Sequence, residues 1–149
     1  MKKSILIAAL LVTTAMASFA SDGTKPGRRV TSSFNKEFSG AREVSWQKDQ
    51  NYVIATFNMK GQVMTAYYTP GGALEAVTHN LLSDQLPACL LTNLKKSFNN
   101  YWVSALSQEV RDGETHYYVT LENADEQVVM KSVSEKNWAV ETMVCKNLL

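Results

Sequence analysis

YVIATFNMKGQVMTAYYTPGGALEAVT, residues 52–78, decides the fold. Apolar residues recur here at every second position, the period of a strand with two unlike faces. Tyr52 to Phe57 reads as one strand, Val63 to Thr69 as a second and Ala73 to Thr78 as a third. Asn58-Met59-Lys60-Gly61 forms a hairpin loop with glycine at the strained position, and Pro70-Gly71-Gly72 forms the next turn. The expected core face is Val53, Ala55, Phe57, Met64, Ala66, Leu74 and Ala76. Upstream, Val44 and Trp46 alternate with polar residues and give a strand from Arg42, closed by a turn at Lys48 to Asn51. Before that, Val30, Phe34 and Phe38 recur every fourth residue, one face of a short helix. Thr31, Ser32 or Ser33 can cap it, and Gly40 is a natural stop.

Offset by 64 residues, the chain matches itself in character without a gap: Phe34 falls on Phe98, Phe57 on Leu121 and Leu74 on Trp138. Pro87 can open a second helix, whose apolar stripe is Leu90, Leu91, Leu94, Phe98, Tyr101 and Trp102. Strands follow near 105–111, 115–122, 127–133 and 138–144, with Asp112-Gly113 as a two-residue hairpin turn. The expected fold class is α+β: two tandem helix-plus-four-strand repeats, about 30–80 and 86–144, in an antiparallel sheet with the helices packed on one face.

The first twenty residues read as a signal peptide, residues 1–20. Lys2 and Lys3 precede an apolar run from Ile5 to Val12, and Ser18-Phe19-Ala20 places small residues where a signal peptidase reads them. Cleavage after Ala20 predicts a periplasmic or secreted protein. Residues 21–29, with Asp22, Gly23, Pro26 and Gly27, read as a flexible N-terminal segment, and 30–149 as a single domain. The whole chain carries a formal charge of +1, and removing the two leader lysines brings it to −1. That balance argues against nucleic acid, which calls for a basic patch. No later stretch is apolar enough to insert in a membrane after signal cleavage.

Chemistry-bearing motifs are absent from the sequence. His79 and His116 are the two histidines, one expected in a loop and one at a strand start, and neither sits in a nucleophile motif. No C-x-x-C, H-x-x-x-H or alternating Asp/Asn run marks a metal site, and no cofactor is expected. Cys89 and Cys145 form an even pair in an exported chain. A bridge between them would close a loop worth roughly 4 kcal/mol in the chain-entropy model. Two free thiols and an intermolecular bond are the other readings.

Phe38-Ser39-Gly40-Ala41, Val44-x-Trp46, Tyr52-x-Ile54-x-x-Phe57 and Gly61, together with Leu86-Pro87, resemble the PepSY-like domain of bacterial envelope proteins. The tandem layout is similar to the beta-lactamase inhibitory protein fold. The resemblance implies a non-catalytic exported domain, with residues 30–149 as one PepSY-like domain. Inhibitory proteins of this fold grip another protein with a concave sheet face and its hairpin loops. No inhibitory residue carries over to this chain.

Strand parity places Tyr52, Ile54, Thr65, Tyr67, His116, Tyr118 and Lys131 on the face away from the core. Tyrosines are stiff, amphipathic contact residues, so this is the candidate partner-binding face. The expected function is an exported, inhibitor-like binding module for a protein or peptide of the cell envelope, as a monomer or weak homodimer. Cross-strand pairing that only stabilises the sheet is the structural alternative. The functional alternatives are a small-ligand or lipid carrier, and a hydrolase with an unrecognised site.

Overall fold

The computed structural model describes residues 25–146. The expected signal peptide and its cleavage point after Ala20 lie outside the described residues. The order is α1 (Arg28–Glu37), β1 (Arg42–Lys48), β2 (Val53–Met59), β3 (Gln62–Tyr68), β4 (Leu74–Asn80), a 3-10 turn (Ser83–Gln85), α2 (Ala88–Ser97), β5 (Trp102–Arg111), β6 (Glu114–Glu122), β7 (Glu126–Ser132) and β8 (Trp138–Cys145). All eight strands belong to one antiparallel sheet, in chain order from β1 to β8.

This topology corrects the expected α+β arrangement of two helix-plus-four-strand repeats with helices packed on one face. The described residues form mostly one continuous eight-stranded sheet carrying two helices of 10 residues each. The halves merge because β4 pairs with β5, from Ala76–Arg111 to Asn80–Ser107. Each helix buries only two side chains, Val30 and Phe34 in α1, Leu90 and Leu94 in α2. The gap-free offset also fails. Val30 and Phe34 correspond to Leu90 and Leu94, an offset of 60, whereas Ala55 and Phe57 correspond to Val119 and Leu121, an offset of 64. The difference arises in the longer β5–β6 hairpin, whose strands have 10 and 9 residues against 7 in β1 and β2.

Helix lengths are shorter than the periodicity suggests. α1 ends at Glu37 and α2 at Ser97; the next residues, Phe38 and Phe98, each donate their backbone N–H to the carbonyl four residues earlier before the chain turns. Tyr101 therefore leaves the helix and Trp102 begins β5, with 54% of its surface exposed. No side chain caps α1; Thr31 Oγ1 instead donates back to the Gly27 carbonyl at 3.3 Å. The two-residue hairpins behave as their sequences require. Lys60 and Gly61 have φ of 54° and 83°, Asp112 and Gly113 of 52° and 79°, the left-handed pair that matches strand twist.

Two apolar clusters fill the core side. Val30 and Phe34 meet Val53, Ala55, Phe57, Ala66 and Tyr68, with Trp46 and Val77 partly buried against them. Phe34 sits at the centre, its ring 5.0 Å from Phe57 and 5.1 Å from Trp46, both edge-on. Leu86, Leu90 and Leu94 meet Leu106, Val119, Leu121, Val128 and Met130. Trp138 borders this second cluster and donates its indole N–H to the Leu90 carbonyl at 3.1 Å.

The sequence-read register is corrected in β4. Tyr67 pairs with Ala76, but Tyr68 pairs with Leu74, so Glu75 is an extra residue. The bulge swaps faces, as a one-residue shift must. Ala76 lies on the face of Tyr67, where it is nonetheless buried at 1% exposure, and Val77 faces the first cluster in its place. His79 is in β4 rather than a loop, opposite Met64 on the core side, and partial burial lowers its pKa.

Candidate functional site

The face away from the two clusters can be followed as rows of paired residues. One row runs Ser45, Thr56, Thr65, Thr78, Glu109, His116 across β1 to β6. A second runs Gln47, Ile54, Tyr67, Ala76, Arg111, Glu114 over the same strands. A third runs Asn80, Ser107, Tyr118, Lys131, Ala139 across β4 to β8. The sequence-read residues therefore fall in two groups. Ile54, Thr65 and Tyr67 lie on β2 and β3, with Tyr52 just before β2. His116 and Tyr118 lie on β6 and Lys131 on β7.

Within each group the contacts are direct. The Tyr52 and Tyr67 rings meet edge to face at 6.2 Å, a favoured aromatic geometry. Lys131 Nζ stands 5.4 Å from the Tyr118 ring centroid, a cation–π contact. His116 Nε2 is 3.6 Å from the exposed Glu114 carboxylate. The hydroxyls of Thr56 and Thr65 are 3.5 Å apart on neighbouring strands.

Two residues that the sequence reading passed over join the groups. Glu109 on β5 is only 9% exposed, an uncommon position for a carboxylate. Arg111 donates to its Oε1 from Nη2 at 3.1 Å and Nε at 3.3 Å, and the Tyr118 hydroxyl donates to its Oε2 at 3.0 Å. Burial, and then the Glu109 charge and hydrogen bond, push the Tyr118 phenol well above its ordinary pKa, so it stays a donor. Burial alone would lower the Arg111 pKa; the Glu109 hydrogen bond and charge, with help from Tyr52, more than reverse this. Tyr67 is raised mainly by burial, with Glu109 adding to the shift and a Thr78 hydrogen bond opposing it. Arg111 thus reaches toward Tyr52 while its carboxylate partner holds Tyr118. The result is one connected patch across the β4–β5 seam.

A signal for these residues was present. A two-residue turn at Asp112-Gly113 fixes Arg111 opposite Glu114, Glu109 opposite His116 and Ser107 opposite Tyr118. Counting back from the turn would have put Glu109 and Arg111 on the same face as the tyrosines.

Comparison with known proteins bears on the fold. No protein-family model and no curated protein matches the chain. Solved structures do. A DUF2874 family protein from Bacteroides ovatus matches with a TM-score of 0.73 at 17% identity, covering 83% of this chain and 89% of that one. A BLIP-like protein from Bacteroides fragilis matches at 0.69 and 18%, covering 81% and 86%. The fold is BLIP-like. A third match, at 0.71 and 15% identity over 80% of this chain and 88% of the other, is a Bacteroides eggerthii protein provisionally assigned to the periplasm. The PepSY-like part of the resemblance rests on the short motifs alone.

Elsewhere on this BLIP-like sheet, Cys89 in the first turn of α2 and Cys145 at the end of β8 are both exposed, free thiols. Cys89 shares a surface recess with Lys136, before β8 begins, whereas Cys145 pairs with Glu126 at the far end of that strand. A cleft of about 370 Å³ lies between α2 and the start of β5, lined by Leu91, Leu94, Phe98, Tyr101, Val103 and Leu121 among others. Among the described residues, no group of three His, Cys, Asp or Glu could hold a metal ion, and no helix is long and apolar enough to cross a membrane.

Proposed function

We propose that this protein is an exported, non-catalytic binding module that engages a protein or peptide of the cell envelope through the sheet face opposite its core. One observation carries the reading: the patch Tyr52–Tyr67–Arg111–Glu109–Tyr118–Lys131, which runs from β3 to β7 on the side away from both apolar clusters. Tyrosine and arginine dominate binding hot spots because they combine large contact area with directed donors. Here the buried carboxylate fixes both the guanidinium and a phenol before any partner arrives, which lowers the ordering cost of binding. The leader-like first twenty residues and the BLIP-like and periplasm-assigned neighbours support export and an inhibitor-like role.

The test has two stages. Affinity capture from the native envelope, with the protein as bait, supplies a partner; that partner, purified, is then titrated against wild type, Tyr52→Ala and Tyr67→Asp. The substitutions should weaken binding about 30-fold each, the loss of a ~2 kcal/mol hot spot. Melting temperature should change little. Unaltered affinity in folded variants, or collapse of the fold in both, would remove the proposal.

The cleft beside α2 favours a second reading, carriage of a small apolar ligand, because six of its lining residues are apolar or aromatic. Native mass spectrometry of protein purified without detergent separates the readings: a retained ligand mass belongs only to the carrier.

A further inference from the structure

The two edges of the sheet are built differently. β1 carries Arg42, Glu43 and Lys48, and a left-handed Glu43, φ 54°, distorts its pairing between Arg42 and Ser45. Charges and bulges are the usual protection of an exposed edge. β8 has one charged residue in eight, Glu141, and exposes Val140 at 53%, Met143 at 54% and Val144 at 51%. Its parity is informative. Met143 pairs with the buried Val128, and Val140 with the buried Met130, so both stand on the core side of the sheet. The apolar layer of the second cluster therefore continues onto β8, where none of the described residues covers Val140 or Met143. At β1 the corresponding layer ends on Trp46, which packs against the first cluster.

We infer that β8 is a self-association edge, pairing antiparallel with β8 of a second copy of this chain to give one sheet continuous across the two molecules. A second copy fits because a two-fold axis perpendicular to the sheet keeps the core sides together. It also requires a residue at the centre of the pairing to face itself. Met143 meets that condition within the regular stretch Thr142–Cys145, which pairs with β7 without interruption. With Met143 at the centre, Thr142 faces Val144 and Glu141 faces Cys145 of the second copy, so no like charges meet. Exposed methionine is a soft, adaptable contact. The extra residue at Glu141, between the Val129–Thr142 and Met130–Val140 pairs, ends the regular stretch and keeps the contact short. The association is accordingly weak and reversible.

Sedimentation velocity from about 5 to about 500 µM reads a weak dimer directly, since affinity in this range is set by mass action. The weight-average mass should climb toward twice the monomer value. Met143→Lys should sediment as a monomer throughout with an unaltered far-UV circular dichroism spectrum; if that variant fails to fold, Val144→Lys serves instead. In a background with Cys89→Ser and Cys145→Ser, Met143→Cys should form a covalent dimer in oxidised glutathione. Monomeric sedimentation of wild type at every concentration overturns the inference. So does a dimer that the lysine variant leaves intact, or failure of the position-143 thiol to cross-link, because the contact then lies elsewhere or belongs to another partner.

Discussion

Glu109 shows how a single side chain can organise a surface. Its carboxylate is nearly out of water, and such a charge is tolerated only when paired and hydrogen-bonded. Arg111 supplies the counter-charge and Tyr118 the remaining donor. Removing one partner is costlier than removing both, because the orphaned charge keeps its desolvation penalty. Arg111→Met should thus lose about 2 kcal/mol of stability, a value kept modest by the partial exposure of the guanidinium. Glu109→Gln combined with Arg111→Met should recover most of it. Urea denaturation of both single variants and the pair measures the coupling; an unaffected Arg111→Met protein would show that Glu109 draws its tolerance from elsewhere. Neither residue was legible as a site from composition. A carboxylate two positions before an arginine on a strand reads as solvated surface until the register buries it.

At the level of elements, hairpins were the most legible feature and bulges the least. Lys60-Gly61 and Asp112-Gly113 announce their turns because glycine accepts the left-handed conformation that the second position demands. The Glu75 and Glu141 bulges have no comparable signature, and each moves apolar residues between faces. Ala76 is buried as its apolar character suggests, but the bulge turns it to the Tyr67 side and gives the first cluster Val77 instead. The β4–β5 pairing was equally hidden, since the chain between those strands contains a turn and a helix. One close approach ties a helix to a turn. A Cβ at Gly72, φ +94°, would lie 2.9 Å from the Arg29 carbonyl carbon, at the start of α1. Gly113, φ +79°, has open space around the same position. Gly72→Ala should cost about 1 to 3 kcal/mol of backbone strain and also displace α1, whereas Gly113→Ala incurs strain alone. Hydrogen exchange of the α1 amides distinguishes them: faster exchange in the first variant only is expected, and equal behaviour would deny the contact.

For the whole molecule, acid stability should depend on the junction where β6, β7 and the end of β8 converge. Lys146 donates to Glu122 Oε2 at 2.8 Å and to the Asn123 carbonyl at 2.9 Å, while Gln127 donates to Glu122 Oε1 at 3.0 Å. Lys146 first, then Ser104 and Gln127, pull the Glu122 carboxyl from 4.5 to about 2. A folded-state pKa below the unfolded one stabilises the fold above the unfolded value. That contribution is full above pH 4.5 and is lost as pH falls toward about 2. Lys146→Met should therefore melt lower than wild type near pH 6 and converge with it near pH 2. A gap that persists into acid would assign the effect to the cation–π contact of Lys146 with Trp102, 5.2 Å from that ring, instead of to the Glu122 pair. The strands and the outward face were readable in the sequence because alternation survives between bulges. The single-sheet architecture was not, because nothing local says that the fourth and fifth strands will meet.

Strictly sequential strand order has a consequence for how the chain is made. Among the described residues, every strand is hydrogen-bonded only to its neighbours along the chain, with no crossover. Low sequence separation between partners shortens the loops that must close and speeds folding. A polypeptide emerging amino end first can zip each new strand onto the growing edge, and only the β4–β5 step must wait for an intervening helix. Among the described strands β8 is the last to arrive, so the final edge added to the nascent sheet is also the one that carries the exposed Val140, Met143 and Val144.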